Sequence, residues 1–189
     1  MGDLVLETSR LRLRLYRLED LDALQEILGD PWTMRFYPAP FDRDGCRAWI
    51  EQQLDRYETD GFGLWAMELR DTGQFVGNCG PVARLIEGRP EVELGWHVHR
   101  SLQRQGLATE AAVACRDHAF DRLGLQRLTA LVRPVNSPSR RVAEKTGMEV
   151  EREVSHAAMP HLLYVVETGQ ERRATTTMLG DSSVSGSPA

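Results

Sequence analysis

The sequence predicts an α/β protein of the α+β type, a single domain with a mixed sheet of about seven strands flanked by four helices. Three observations predict it. Segments with apolar residues at helical spacing alternate with segments patterned at period two. Two early strand-like runs, 62–69 and 74–82, are joined by Asp71-Thr72-Gly73, a turn-rich segment of hairpin type, so the sheet is not purely parallel. A third strand-like run, 91–99, leads through a small-residue segment straight into a helical run, 107–123.

Each element has its own warrant. Arg10 to Leu15 alternates basic and apolar residues, placing Leu11, Leu13 and Leu15 on one face of a strand. Leu21, Leu24, Ile27 and Leu28 recur at helical spacing within 19–28, and Gly29 and Pro31 stop that helix. A second helix is expected over 44–57, and the third ends at Gly124. Arg127 to Val132 supplies a β-branched and apolar strand. Ser137-Pro138 then places a hydroxyl at the N-cap and proline at N1 of a fourth helix, which Gly147 ends. Strands over 148–154 and 158–167 complete the order. The domain is read as residues 1–168. Residues 169–189 turn to Thr, Ser, Gly, Arg and Pro, too poor in apolar surface to offset ordering entropy, and are expected to be a disordered tail.

Composition removes several function classes. With 23 basic against 28 acidic side chains and no block of Lys and Arg, no stripe that would track nucleic-acid phosphates is expected. Cys46, Cys79 and Cys115 form no C-x-x-C pair, so neither a disulfide framework nor a zinc site is expected. His97 and His99 form an H-x-H pair without a supporting third ligand, and no metal is expected. No run reaches the roughly 18 apolar residues of a membrane span and no apolar leader opens the chain, so a cytoplasmic protein is expected.

The chemistry concentrates in Gln103-Arg104-Gln105-Gly106-Leu107-Ala108-Thr109. A strand, a small-residue turn and a helix start aim free backbone N–H groups at one point, backed by the positive end of the helix dipole. Such a point binds a phosphate or pyrophosphate. A Walker loop is excluded, because the only lysine, Lys145, follows Glu144 instead of glycine. A dinucleotide G-x-G-x-x-G is absent as well.

Gln103-x-x-Gly106-x-Ala108 resembles the Q/R-x-x-G-x-G/A loop with which the GCN5-related N-acetyltransferases (GNAT family) cradle the coenzyme A pyrophosphate. Glu93-Leu94-Gly95-Trp96 is similar to the acidic-apolar-Gly-aromatic run of the RimJ/RimL-like branch, which acetylates ribosomal protein N-termini. Asn136-x-x-Ser139 followed by Arg141 to Met148 resembles that branch's second signature, and Thr8 to Arg14 its first strand. The resemblance covers about residues 8 to 167 and implies a mostly antiparallel GNAT-like sheet. It implies an N-acetyltransferase that moves an acetyl group from acetyl-CoA, its cosubstrate, to a primary amine, either a protein N-terminus or a small molecule, by direct attack on the thioester. A monomer or homodimer is expected.

Site residues follow from the same resemblance. Gln103, Arg104, Gln105, Gly106, Leu107, Ala108 and Thr109 would hold the diphosphate, with Lys145 adding charge. The backbone of Trp96, His97 and Val98 would bind the thioester carbonyl and the pantetheine arm, and Asn136 the pantetheine amides. Glu93 is the first choice for the base; the base of the histone-acetylating branch falls one register earlier, on Val92. Ser139 would hydrogen-bond the sulfur, since the position of the family's tyrosine acid is Ala143. Trp32, Met34, Phe36 and Tyr37 fall in the region that lines the acceptor side. The alternative is a non-catalytic acyl-CoA sensor or interaction module, which the missing tyrosine favours.

Overall fold

The computed structural model describes residues 4–169. Its elements are β1 (Leu4–Glu7), β2 (Leu11–Arg14), α1 (Leu21–Leu28), α2 (Arg43–Thr59), β3 (Trp65–Leu69), β4 (Phe75–Ile86), β5 (Arg89–Val98), α3 (Leu107–Asp121), β6 (Arg127–Val132), α4 (Ser137–Lys145), β7 (Glu149–His156) and β8 (Met159–Glu167). They build one open eight-stranded sheet in the order β1-β2-β3-β4-β5-β6-β8-β7. Every neighbouring pair is antiparallel except β5 with β6. Of the expected disordered tail, residues 170–189 lie outside the described residues.

The strand pleat sorts side chains between two cores. Leu11 and Leu13 of β2, Trp65 and Met67 of β3 and Leu94 of β5 face α3, whose Leu107, Ala111, Ala112, Cys115 and Ala119 complete one core. On the opposite face Tyr16 and Ala66 pack with Leu24, Ile27 and Leu28 of α1 and with Cys46 and Ile50 of α2. The alanines on α3 let the helix lie close to the sheet. The three cysteines are buried and unpaired by disulfides. Among the described residues no helix is long and apolar enough to cross a membrane.

The structure differs from the sequence reading at several points. β1 is an additional, eighth strand, an edge partner for β2 too short to show a periodicity of its own. β4 runs on to Ile86, and β5 starts at Arg89, so the two form one long hairpin closed by Glu87-Gly88. The N-cap of α4 is Asn136, whose side chain accepts a hydrogen bond from the Ser139 N–H, which moves Ser137 to N1 and Pro138 to N2.

Both tight hairpins place two residues at positive φ, as two-residue turns matched to strand twist require. The first uses Glu87 and Gly88 (φ 49° and 78°), the second Ala157 and Ala158 (φ 51° and 58°). Alanine is poorly suited to that conformation, at a cost of roughly 1–2 kcal/mol per residue. Replacing Ala157-Ala158 by Asn-Gly is therefore expected to raise the unfolding free energy by about 1 kcal/mol in denaturant titration.

Candidate active site

The parallel step between β5 and β6 is held by one register pair, Glu93 with Thr129. The buried Thr129 hydroxyl donates to the Val92 carbonyl at 3.2 Å, pinning the two strands at that level. Beyond it they part. β5 stays with β4 through Val98, while β6 stays with β8 through Val132. The strands thus form a fork whose inner edges leave main-chain groups of β5 from Leu94 onward without a β6 partner. A cavity of about 530 Å³ opens there, lined by Leu94 to His97 on one prong, Ala130 to Arg133 on the other, and Asn136 and Ser139 at the start of α4.

The long hairpin brings a charged pair to the base of the fork. Glu93 is ion-paired with Arg84 of β4, and both line the cavity. Glu91, two residues earlier on the same face, is engaged elsewhere, by Arg127 at 3.1 Å. Two residues past Gly95, the His97 side chain projects to the face covered by α1 and α2. Its Nδ1 lies 3.0 Å from Asn78 Oδ1 and its Nε2 2.9 Å from the Tyr37 hydroxyl. The Asn78 amide nitrogen donates to the Tyr16 hydroxyl at 3.1 Å, so Asn78 Oδ1 is the acceptor for the imidazole. The tautomer follows: Nδ1 carries the proton and Nε2 accepts from Tyr37. Burial, reinforced by the Arg84 charge, pushes the imidazole down to about 4 from its ordinary 6.5. The close backbone approach here depends on Gly77, where an added Cβ would stand 2.0 Å from the His97 carbonyl oxygen.

The proposed anion turn lies beyond the cavity, and none of residues 103–109 lines it. Gly106 caps α3 in the left-handed conformation (φ 83°), and no side chain occupies the helix N-terminus. The first helical bond runs from the Glu110 N–H to the Gly106 carbonyl, so the N–H groups of Leu107, Ala108 and Thr109 have no intrahelical acceptor. Glu110 anchors the turn from behind. Its carboxylate accepts from the Thr8 hydroxyl at 2.5 Å and the Arg10 N–H at 2.9 Å, and pairs with Arg10 Nε at 2.6 Å. Arg10 also donates to the Gln105 carbonyl. Gln103 donates to the Val98 carbonyl at 3.0 Å, joining the turn to the end of β5. Arg104, at φ 65°, is exposed.

On α4, Asn136 uses its carbonyl oxygen as the cap, which leaves its amide N–H groups for a ligand. Among the described residues the Ser139 hydroxyl makes no hydrogen bond, and it faces the cavity. Ala143 is fully buried in the core that α3 completes and does not line the cavity. Lys145 stands exposed in the last turn of α4, at the opposite end from Asn136. Of the four acceptor-side candidates, Met34, Phe36 and Tyr37 line the cavity; Met34 is also part of the α1–α2 core. Trp32 does not line it. Its ring instead carries the Arg35 and Arg100 guanidinium groups at 4.3 and 5.1 Å.

The cavity also contains residues that sequence patterns did not single out: Arg84, Arg133, Trp49 and His161. Burial lowers the pKa of His161, and its Nδ1 donates to the Met159 carbonyl at 3.0 Å. No group of three or more His, Cys, Asp or Glu that could hold a metal ion occurs among the described residues.

Residues 10–149 match the family model of the acetyltransferase (GNAT) domain. The chain is 34% identical to the protein YkkB of Bacillus subtilis (strain 168) over 160 residues, 84% of this chain and 93% of that protein. An acetyltransferase from Agrobacterium tumefaciens C58 superposes with a TM-score of 0.76 at 30% identity, over 86% of this chain and 94% of that one. Mycobacterium smegmatis RimJ, solved with a CoA-disulfide, shares the fold with a TM-score of 0.66 at 23% identity, over 88% and 89% of the two chains.

His97 gives the site a pH signature. Between its ordinary 6.5 and about 4 the unfolded chain holds a proton on this imidazole that the folded chain does not. Stability therefore rises with pH across that window and is lost on acidification, by about 3 kcal/mol at most from this group. Denaturant titrations of the wild type and of His97→Gln at a series of pH values between 4 and 7 check this: the variant's curve should be flatter.

Proposed function

The chain belongs to the acetyltransferase (GNAT) family, and from that premise we propose that it transfers the acetyl group of acetyl-CoA to a primary amine by direct attack on the thioester. The observation that carries this reading is the fork at Glu93 and Thr129, which opens a cavity along β5, the strand that leads on to the glycine-capped start of α3. A diphosphate at Leu107–Thr109 would lie at the positive end of a 15-residue helix. The pantetheine arm, an extended chain of amides, would replace the missing β6 partner along 94–98 and reach Asn136. The thioester would then sit where the two prongs diverge.

The reaction forms an N–C bond, breaks the C–S bond, takes one proton from nitrogen and leaves coenzyme A as a thiolate that takes up a proton. The β5 main-chain donors at Trp96 to Val98 would stabilise the oxyanion of the tetrahedral intermediate. Glu93 would accept the amine proton, directly or through a water. A carboxylate is a mild base, which suffices for an α-amine, whose pKa near 8 leaves a sizeable neutral fraction at pH 7. Ser139, its hydroxyl directed at the cavity, would hydrogen-bond the departing sulfur. A thiol pKa of about 8.5 makes this modest help adequate in the absence of a tyrosine at Ala143.

The competing reading, an acyl-CoA-binding module without turnover, draws on Ala143, which lies in the core and offers no acid. Product detection by mass across a panel of amines and peptides separates the two: acetyl-CoA bound with no acetylated product would favour the module.

Two substitutions test the roles. Glu93→Gln is expected to lower kcat by about 10²–10⁴ and to remove the acidic limb of the pH–rate profile, with acetyl-CoA affinity preserved. Gly106→Ala is expected to weaken coenzyme A binding about tenfold by calorimetry, because the left-handed cap becomes strained by roughly 1–2 kcal/mol. The fold should tolerate it, since the nearest atom to the new Cβ is Arg10 Nη2 at 3.5 Å.

A further inference from the structure

Arg133 stands at the end of β6, where the fork is wide. Counting from the Glu93–Thr129 pair, His97 is four residues along one prong and Arg133 four along the other. Both line the cavity, and Arg133 stands close enough to His161 for its charge to bear on that imidazole, as the charge of Glu93 does. The Nε of Arg133 is buried and has no hydrogen-bond partner, the one such side-chain atom among the described residues. Its guanidinium makes no ion pair among the described residues. The Nε is closed off inside the protein, so a ligand in the cavity would meet this half-buried guanidinium through its terminal nitrogens, which make no hydrogen bond or ion pair among the described residues.

The charge of the cavity wall says what that ligand is. Its charged residues are two arginines, Arg84 and Arg133, and one carboxylate, Glu93, which Arg84 already engages. Burial lowers the neighbouring imidazoles His97 and His161, so they stay neutral at pH 7 and leave the charge balance to these three residues. One cation therefore remains unbalanced on the side where the acceptor enters. A polycationic amine would meet repulsion there. A planar guanidinium with open donors matches a carboxylate by two parallel hydrogen bonds.

We propose that Arg133 docks a carboxylate of the acceptor, so that the preferred substrate is a primary amine carrying a nearby acid: a free amino acid, or a peptide with an acidic residue next to its N-terminus. This rests on the acetyl-transfer reading above and narrows its substrate class. The carboxylate would be held on the β6 prong while the amine faces Glu93 and the thioester.

The test uses matched pairs. Free amino acids are compared with their α-carboxamides, and C-terminally amidated Ala-Asp peptides with Ala-Asn peptides, using the wild type, Arg133→Gln and Arg133→Lys. The acid member of at least one series should be preferred by about tenfold or more in kcat/KM. Arg133→Gln should erase that preference by raising KM for acids alone, Arg133→Lys should keep part of it, and coenzyme A affinity should be unchanged. The series that shows the preference identifies the source of the carboxylate. Equal use of acids and amides, an acid preference that survives Arg133→Gln, or loss of coenzyme A affinity in that variant would each overturn the assignment. If no amine is acetylated, the transfer reading falls instead. Calorimetric binding of acid against amide to the coenzyme A complex then decides the role of Arg133 by itself.

Discussion

The architecture of the site depends on how little joins β5 to β6. A parallel pair cannot be closed by a tight turn, and the crossover through α3 delivers β6 beside β5 at one level, where Thr129 fastens it to Val92. Had the ladder continued, the β5 main chain would be satisfied by protein and no slot would exist. Because it stops, a run of backbone donors and acceptors in the middle of a sheet is left without a strand partner, while the rest of the eight-stranded sheet holds the two prongs apart.

The two faces of the fork have different characters. Toward α3 the strands present apolar side chains such as Trp65, Leu94 and Leu128, and the helix meets them with Ala111, Ala112, Cys115 and Ala119, so it lies close against the sheet. Toward α1 and α2 the strands present Glu93, Arg84 and His97, with Asn78 buried behind the imidazole, inside an aromatic rim of Phe36, Tyr37 and Trp49. The imidazole there is fixed by Asn78 on one side and Tyr37 on the other, and it is kept neutral by burial and by the nearby Arg84 charge. That combination makes this wall selective: groups are aimed and charged before anything enters.

Much of this was legible in the residues. The period-two run of β2, the whole of β6 and the punctuation around α4 could be read because each is decided locally, by alternation, by β-branched composition or by a proline in the first turn. The glycine turn that opens α3 was legible for the same reason, as a contiguous segment. What could not be read depends on register. The Glu93–Arg84 pair exists because β4 and β5 continue to a two-residue turn at Glu87-Gly88, which carries no Asn-Gly signal and was passed over. Tyr37 meets His97 across 60 residues of chain. Arg133 resembles any surface arginine until the fork is built around it. The cap of α4 shows a local failure: Asn and Ser are both good caps, and only the fold chose Asn136.

Glu110 shows one more consequence of the architecture. The carboxylate in the first turn of α3 is held by Thr8, Ser9 and Arg10, about a hundred residues earlier, and Arg10 reaches on to the Gln105 carbonyl. The shape of the anion turn is thus braced by the start of the domain, a contact of very long sequence separation. A chain emerging from the ribosome must keep that opening segment unclaimed until α3 has been made, and a proteolytic nick that freed residues 8–10 would loosen a turn lying at the far side of the polypeptide's connectivity.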